Sequence, residues 1–100
     1  MIGVTVTLRN QTFSWSPWIM HVKDLANTTD KESQVAVGRG VIDFPGLFRT
    51  LIDIGYQGQV GLEYEIHADD PLPGMIESIA YMRGVMASLI PHPSSLIPNR

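Results

Sequence analysis

The sequence predicts an α/β fold built from about two βα units and an additional N-terminal strand. Three short segments alternate apolar with polar or small residues, which is the period-two pattern of β-strands. Two longer segments carry apolar residues at helical spacing and follow the second and third strand segments. This order of strand, strand, loop, helix, strand and helix is typical of consecutive βα units. We therefore expect a parallel sheet with helices on one face.

The three predicted strands carry apolar side chains on alternate positions. Residues 2–8 place Ile, Val and Leu on every second position, and residues 18–23 and 58–65 follow as the second and third strands. The polar run from Asn27 to Ser33 predicts a loop after the second strand.

The first predicted helix has clear signals at both ends. Asp43 precedes Phe44 and Pro45, which is typical of an N-cap with proline in the first turn. Apolar residues then recur at helical spacing until Gly55, where we expect the helix to end.

The second predicted helix is longer and carries a broad apolar stripe. Asp70 is predicted to cap it, and its apolar positions continue to Leu89, shortly before Pro91. We therefore assign residues 1–90 to a single α/β domain and residues 91–100, which contain three prolines, to a C-terminal tail.

Composition excludes several classes of function. The apolar content of 44% and charged content of 17% are those of a globular chain, and the formal net charge of -3 has the wrong sign for a nucleic-acid-binding protein. The absence of cysteine excludes disulfides, thiol catalysis and Cys-ligated zinc. No apolar run is long enough to cross a membrane and no secretory signal is evident, so we expect a cytoplasmic protein.

Polar side chains occupy one face of the second and third strands. Period two places His21 and Lys23 on one face of residues 18–23, and it places Glu63 and Glu65 on one face of residues 58–65. In a βα barrel this face is the interior, and its carboxyl end collects catalytic groups from several strands. An imidazole and a carboxylate brought together there suit a divalent metal such as Mn²⁺, Zn²⁺ or Mg²⁺. Two ligands are fewer than a metal site needs, so a hydrogen-bonded histidine and a solvated glutamate remain an alternative interpretation.

Four motifs, in order and spacing, resemble the last two βα units of one barrel family. They are the His21-Val22-Lys23-Asp24 run, the G-x-G-x-[IV]-D pattern in residues 37–44, the I-G-Y-x-G pattern at 54–58 and the L-E pair in residues 62–65. Together they resemble the C-terminal part of a sugar phosphate isomerase/epimerase of the xylose-isomerase-like TIM barrel superfamily. The resemblance covers about residues 18–90 and implies a partial TIM barrel.

The resemblance also implies roles for individual residues. His21 stands at the position of a metal-binding histidine, and Glu63 stands at that of a metal-binding glutamate near the proton-transfer centre. Lys23 and Asp24 would flank the site. Arg39 would meet a substrate oxygen or phosphate, although a solvated loop arginine is an equally good interpretation. The implied chemistry is proton abstraction next to a carbonyl or hydroxyl held on a divalent metal, passing through an enediolate.

The chain is short for this family, because a complete eight-unit barrel has about 250 residues. The family takes a second glutamate and usually an aspartate from earlier strands, and nothing before residue 18 supplies them convincingly. We therefore expect a truncated isomerase/epimerase-like chain that is inactive in isolation, or a non-catalytic interaction module. Uncovered sheet edges and an uncovered inner face predict a homo-oligomer. The expected ligand is a sugar or sugar phosphate.

A phosphodiester-cleaving activity of the endonuclease IV kind is the least favoured alternative. It would require more histidines and a basic face, and His67 and His92 are predicted to lie in a loop and in the tail.

A set of large apolar residues admits two interpretations, a hydrophobic ligand pocket or packing in the core or a subunit interface. We favour packing over a ligand pocket. The set consists of Trp15, Trp18, Met75, Met82 and Met86.

Overall fold

The computed structural model describes residues 2–7, as a strand backbone, and residues 19–89, and it confirms a mixed α/β fold. The three predicted strands and two predicted helices occur in the predicted order, and a short hairpin of two further strands lies within the segment predicted as a loop. They are β1 (Ile2–Thr7), β2 (Ile19–Val22), β3 (Asp24–Leu25), β4 (Gln34–Val35), α1 (Phe44–Asp53), β5 (Gln59–Tyr64) and α2 (Leu72–Leu89).

The main sheet has three strands in the order β1-β5-β2, with β5 in the centre. Strands β2 and β5 are parallel, as the βα pattern predicts, and their register places His21 beside Gly61 and Val22 beside Leu62. Strand β1 departs from the prediction because it pairs antiparallel to β5, with Ile2 opposite Tyr64. Alternation in a sequence defines the two faces of a strand but not its direction, so residues 2–8 predicted a strand without fixing how it enters the sheet.

A small hairpin occupies the segment between β2 and α1. Strands β3 and β4 pair antiparallel, and the polar loop from Asn27 to Ser33 connects them. Asn27 and Ser33 hold this loop together, because the Ser33 hydroxyl donates to the Asn27 carbonyl and accepts from the Asn27 amide. The predicted loop is therefore a compact turn.

The hydrophobic core lies between the sheet and the two helices. Alternate residues of β5 (Val60, Leu62 and Tyr64) are buried at 2% exposure or less, and the helices cover them. The other members of the core cluster are Val22, Val37, Phe44, Phe48, Leu51, Met75, Met82 and Met86. The three methionines of the large apolar set are thus core residues, as favoured above, and Trp15 and Trp18 lie outside the described residues.

Both helices begin close to the predicted positions. The Asp43 carboxylate accepts from the amide of Gly46 and caps α1. The helix ends at a glycine with φ of +74°, Gly55, whose amide donates to Ile52 while the amide of Tyr56 donates to Leu51. This pair of bonds is a Schellman motif, which requires the left-handed conformation that glycine adopts at least cost.

The start of α2 differs by one residue from the prediction. The carbonyl of Pro71 accepts from the amide of Met75, so Pro71 occupies the N-cap position that the sequence assigned to Asp70. Among the residues that the structure describes, no helix is long and apolar enough to span a membrane. The predicted tail from residue 91 lies outside the described part.

Candidate functional site

The parallel pairing of β2 and β5 brings His21 and Glu63 together on the face of the sheet opposite the core. Their Nδ1 and Oε1 atoms are 3.5 Å apart, and the side chains are 52% and 26% exposed. His21 pairs in register with Gly61, so Glu63 lies one alternate position further along β5 and on the same face. The two residues that the sequence selected as metal ligands are therefore neighbours on an open surface.

Gly61 leaves room for the imidazole of His21. A Cβ atom added at this position would lie 3.1 Å from Cδ2 of His21 and 3.4 Å from Cγ2 of Ile19. Such contacts are tighter than ordinary van der Waals separation, so any larger residue would displace the ring. Glycine at position 61, which has no side chain, thus helps to keep His21 beside Glu63.

Gln34 fixes the backbone around Glu63. Its side-chain amide donates to the Glu63 carbonyl at 2.7 Å, and its carbonyl oxygen accepts from the amide of Glu65 at 3.1 Å. These two bonds satisfy backbone groups of β5 that extend beyond the end of β2. This role could not be predicted from the sequence, because a glutamine near a polar loop resembles any solvated residue.

Asp24 is buried and organises the loop that follows the hairpin. Its side chain is fully buried. Its carboxylate accepts from the backbone amides of Leu25, Gly38, Gly40 and Ile42 at 2.9 to 3.2 Å. The resemblance placed Asp24 beside the site, whereas all of these bonds go to backbone amides. In the structure Asp24 therefore holds the 36–42 loop in place.

The two glycines of the G-x-G pattern are required by close packing around this carboxylate. Gly38 has φ of +100°, and a Cβ atom there would lie 2.8 Å from the ring of Tyr81. A Cβ atom on Gly40 would lie 2.3 Å from both the Asp24 carboxylate and the Leu25 carbonyl. In this chain the motif therefore positions the loop.

Arg39, the residue between these glycines, forms an ion pair with Glu77 on α2. Its Nη2 donates to Glu77 Oε1 at 3.0 Å, and its Nε donates to Oε2 of the same carboxylate. The hydrogen bond and charge of Glu77 raise the pKa of Arg39, and the hydrogen bond from Arg39 lowers the pKa of Glu77. Arg39 thus already has an anionic partner, and its predicted contact with a substrate would have to replace that partner.

Arg39 and Glu77 also border a cavity at the carboxyl end of β5. The cavity has a volume of about 580 Å³, and its walls include Tyr64, His67 and Gly74. Nδ1 of His67 lies 3.0 Å from the Tyr64 hydroxyl, so this histidine already has a hydrogen-bond partner. Neither His21 nor Glu63 lines the cavity, which is therefore separate from this pair. The sheet face that carries His21 and Glu63, opposite the core, is called the inner face because it corresponds to the interior of a βα barrel.

Lys23 lies at the inner face with an exposed side chain. It borders a polar recess of about 230 Å³ together with Lys31, Glu32, Gln34 and Glu65. Two lysines and two glutamates leave this recess without a strong net charge. Its location next to β2 and β5 is compatible with the predicted contact between Lys23 and a substrate.

The described residues do not by themselves form a resident metal site. His21 and Glu63 are two ligand side chains, and within residues 19–89 no group of three or more histidine, aspartate or glutamate residues is placed to hold a cation. Protein metal sites usually take three or four such ligands. His92, a further histidine of the sequence, lies outside the described residues.

Comparison with protein families identifies the fold. The family model of the xylose isomerase-like TIM barrel matches residues 18–85, which include β2, β5 and both helices. A comparison with curated proteins gave no match. The family match agrees with the parallel β2–β5 pair and with the two helices packed on one side of it. The chain therefore belongs to the xylose isomerase-like TIM barrel family.

Proposed function

We propose that this chain is a sugar isomerase/epimerase-like module in which Glu63 and His21 move a proton on a sugar or polyol substrate. The observation that supports the proposal is their 3.5 Å separation on the open face of two parallel strands, in a chain of this family. In barrels of this kind the same face contributes the catalytic groups.

The chemistry proposed for the pair is general acid–base catalysis. The Glu63 carboxylate abstracts a proton from a carbon next to a carbonyl, and the electron pair moves onto the carbonyl oxygen to form an enediolate. His21 lies beside the carboxylate and donates a hydrogen bond to the oxygen on which charge develops. Return of the proton to the opposite face of the same carbon, which carries a hydroxyl, completes epimerisation. Isomerisation requires the proton to return to the former carbonyl carbon, while the hydroxyl proton of the first carbon moves to the former carbonyl oxygen.

The same proposal assigns substrate contacts to Lys23 and Arg39. Lys23 lies two residues after His21, with an exposed side chain, and its ammonium group would bind a hydroxyl or phosphate oxygen of the substrate. Arg39 would take part only after it leaves Glu77, so we assign it the smaller contribution.

Proton exchange measured by NMR tests the proposed function directly. At a chain concentration high enough for copies to associate, ketoses and ketose phosphates in D₂O should exchange the hydrogen next to the carbonyl, because an enediolate equilibrates with solvent. The dilute chain in isolation is expected to remain inactive. The Glu63→Gln variant should lose this exchange by a factor of about 100 or more. Glu65→Gln is the matched control, since it removes an exposed carboxylate next to the site and should retain exchange.

Absence of exchange with every substrate for the folded wild-type chain at the high concentration would contradict the proposal. An equal loss in the Glu63→Gln and Glu65→Gln variants would contradict the role of Glu63. Either result would favour the second candidate, a non-catalytic interaction module. The observation that favours this candidate is that the pair lacks a third ligand among residues 19–89 and lies on an open face.

A further inference from the structure

The two helices differ in how well their outer sides suit water. On α1 the exposed positions include Arg49, Thr50 and Asp53, so the outer side of this helix is polar. On α2 the side chains of Leu72 and Ile76 are each 59% exposed, although apolar residues also fill the core side of this helix. A helix that is apolar on both sides is typically covered on both sides. We therefore expect the outer side of α2 to have an occupant.

The exposed apolar residues of α2 line a continuous groove with a volume of about 440 Å³. Within it, positions 72, 76, 79 and 83 follow one another in steps of four, three and four residues, which is the spacing of a helix–helix packing seam. In a complete barrel each helix has helical neighbours on two sides, whereas within residues 19–89 α2 packs against one helix, α1. The groove therefore suits a second helix. Its walls, which define the α2 groove, are Leu72, Met75, Ile76, Ile79, Ala80 and Arg83.

The charges at the two ends of the α2 groove have opposite signs. Arg83 lies at one end, and Asp69 and Asp70 lie just before the first turn of the helix at the other end. All three residues are exposed, and none of them forms an ion pair within residues 19–89. From Leu72 to Arg83 the groove extends about 16 Å, at 1.5 Å for each helical residue. A partner helix with the same charges in the opposite direction would therefore pair both ends.

A second copy of α2 in antiparallel orientation meets these requirements. A two-fold axis that passes between positions 76 and 79 places Ile76 of one copy against Ile79 of the other. The same axis places Arg83 opposite Leu72 of the other copy, about 3–5 Å along the helix from the two aspartates. An arginine side chain spans that distance while its methylene groups pack on Leu72. Such a contact removes apolar surface from water at its centre and pairs opposite charges at both ends.

The charges disfavour the parallel arrangement of the same two helices. In a parallel pair the two Arg83 side chains would meet at one end, and the two copies of Asp69 and Asp70 would meet at the other. Like charges placed opposite one another oppose association. The antiparallel pair also brings the N-terminus of each helix close to the C-terminal half of the other, so the helix dipoles attract. The antiparallel copy is therefore the better electrostatic match.

We propose that two copies of this chain associate through the α2 groove, with the two α2 helices antiparallel and Arg83 of each copy paired with Asp69 or Asp70 of the other. The proposal does not rest on the proposed function, because the helices cover the core side of the sheet and the proposed proton-transfer pair lies on the inner face. One helix pair buries less than the roughly 1,600 Å² of a standard interface, so the dimer should be reversible, with a micromolar dissociation constant.

Sedimentation velocity of the full chain between about 1 and 500 μM tests the association. We expect the wild type to change from monomer to dimer as the concentration rises. Ile76→Lys should raise the dissociation constant by about 10-fold or more, because it places an ammonium group in the apolar centre of the contact. Ile54→Lys is the matched control, since this isoleucine is 70% exposed and lies at the end of α1, outside the α2 groove. This control should dimerise as the wild type does, and circular dichroism shows whether each variant is folded.

Charge exchange tests the orientation of the two helices. Arg83→Glu should weaken the dimer, because it places a carboxylate opposite Asp69 and Asp70 of the other copy. Adding Asp69→Lys and Asp70→Lys to this variant should restore the affinity, since both ends are then paired again with the signs exchanged. Arg49→Glu makes the same change of net charge on the exposed side of α1 and should leave the dimer unchanged.

A folded wild-type chain that stays monomeric at about 500 μM would overturn the proposal and leave the α2 groove to a different occupant, such as residues 90–100 of the same chain or another protein. A dimer that Ile76→Lys weakens no more than Ile54→Lys would overturn the assignment of the interface to this groove. Failure of the exchanged charges to restore the dimer would overturn the antiparallel orientation. These measurements need no substrate, so their outcome is separate from that of the proton-exchange experiment.

Discussion

The two faces of the central sheet differ in how completely their polar groups are satisfied. Next to the core, in the hairpin that follows β2, the buried carboxylate of Asp24 accepts four backbone hydrogen bonds. On the inner side, the Glu63 carboxylate has one contact, to His21, and faces solvent. The core side is therefore complete in one copy, whereas the inner side offers groups that another molecule can bind.

The largest predicted effect contrasts two carboxylates, the buried Asp24 of the β3–β4 hairpin and the partly exposed Glu63 of β5. Asp24→Ala should lower the free energy of unfolding by about 3 kcal/mol or more, because several partly or fully buried amides lose their acceptor. Glu63→Ala should change it by less than about 0.5 kcal/mol, since the side chain is partly exposed and its partner His21 is half exposed. Urea denaturation followed by circular dichroism measures both. Equal effects of the two substitutions would remove the contrast between the faces.

A glycine substitution in the 36–42 loop should have the next largest effect. Gly40→Ala forces a methyl group against the Asp24 carboxylate and the Leu25 backbone, which we expect to cost about 1–3 kcal/mol. The resulting shift of the loop should also weaken the Arg39–Glu77 pair. Thermal unfolding monitors the stability. A variant as stable as the wild type would show that the loop is not held by Asp24.

Gly84→Ala is predicted to change stability in the opposite direction. Gly84 lies inside α2, is exposed and has no atom within 4 Å of an added Cβ. Alanine should therefore stabilise the protein by about 0.5–1 kcal/mol through its higher helix propensity. This substitution is also the steric control for Gly40→Ala, and a destabilising result would indicate that the surface of α2 near Gly84 is occupied in solution.

The smallest predicted effect concerns the pH dependence of the Arg39–Glu77 pair. Since the folded protein lowers the pKa of Glu77, the pair contributes stability above the ordinary glutamate pKa of 4.5. This contribution is lost as the pH falls through the lowered value. Unfolding curves of the wild type and of Glu77→Gln should therefore differ slightly at neutral pH and converge in acid. Glu32→Gln, in the exposed turn, is the matched control, and a wild-type advantage that persists at low pH would contradict the assignment.

Much of the fold was predictable because local chemistry determines it. The N-cap at Asp43, the helix end at Gly55 and the two faces of residues 58–65 all follow from side-chain types and spacing, and the structure confirms them. The same alternation placed His21 and Glu63 on inward-facing positions. The direction of β1 could not be predicted in this way, because an antiparallel and a parallel strand have the same alternation.

The predicted site was only partly determined by the sequence. Asp24 and Arg39 occur in motifs that suggested a place in or beside the active site. The structure binds Asp24 to backbone amides and pairs Arg39 with Glu77 on a helix about 40 residues away. A motif fixes which residues occur together along the chain, but it does not show which partner satisfies each charge. The assignments of Lys23 and Arg39 to substrate, and of a cation to the site, remain predictions.

The sequence by itself determined the βα order, the helix ends and the polar character of one sheet face, because these depend on intrinsic preferences and on periodicity. Only the tertiary structure decided that His21 and Glu63 lie 3.5 Å apart, since that distance depends on the register of two strands separated by about 40 residues. It also decided that, within residues 19–89, no third histidine, aspartate or glutamate joins this pair in a group that could hold a cation. The physical reason is that the register of two strands distant in sequence is set by how their apolar faces pack together against the helices, which the pattern of either strand alone does not decide.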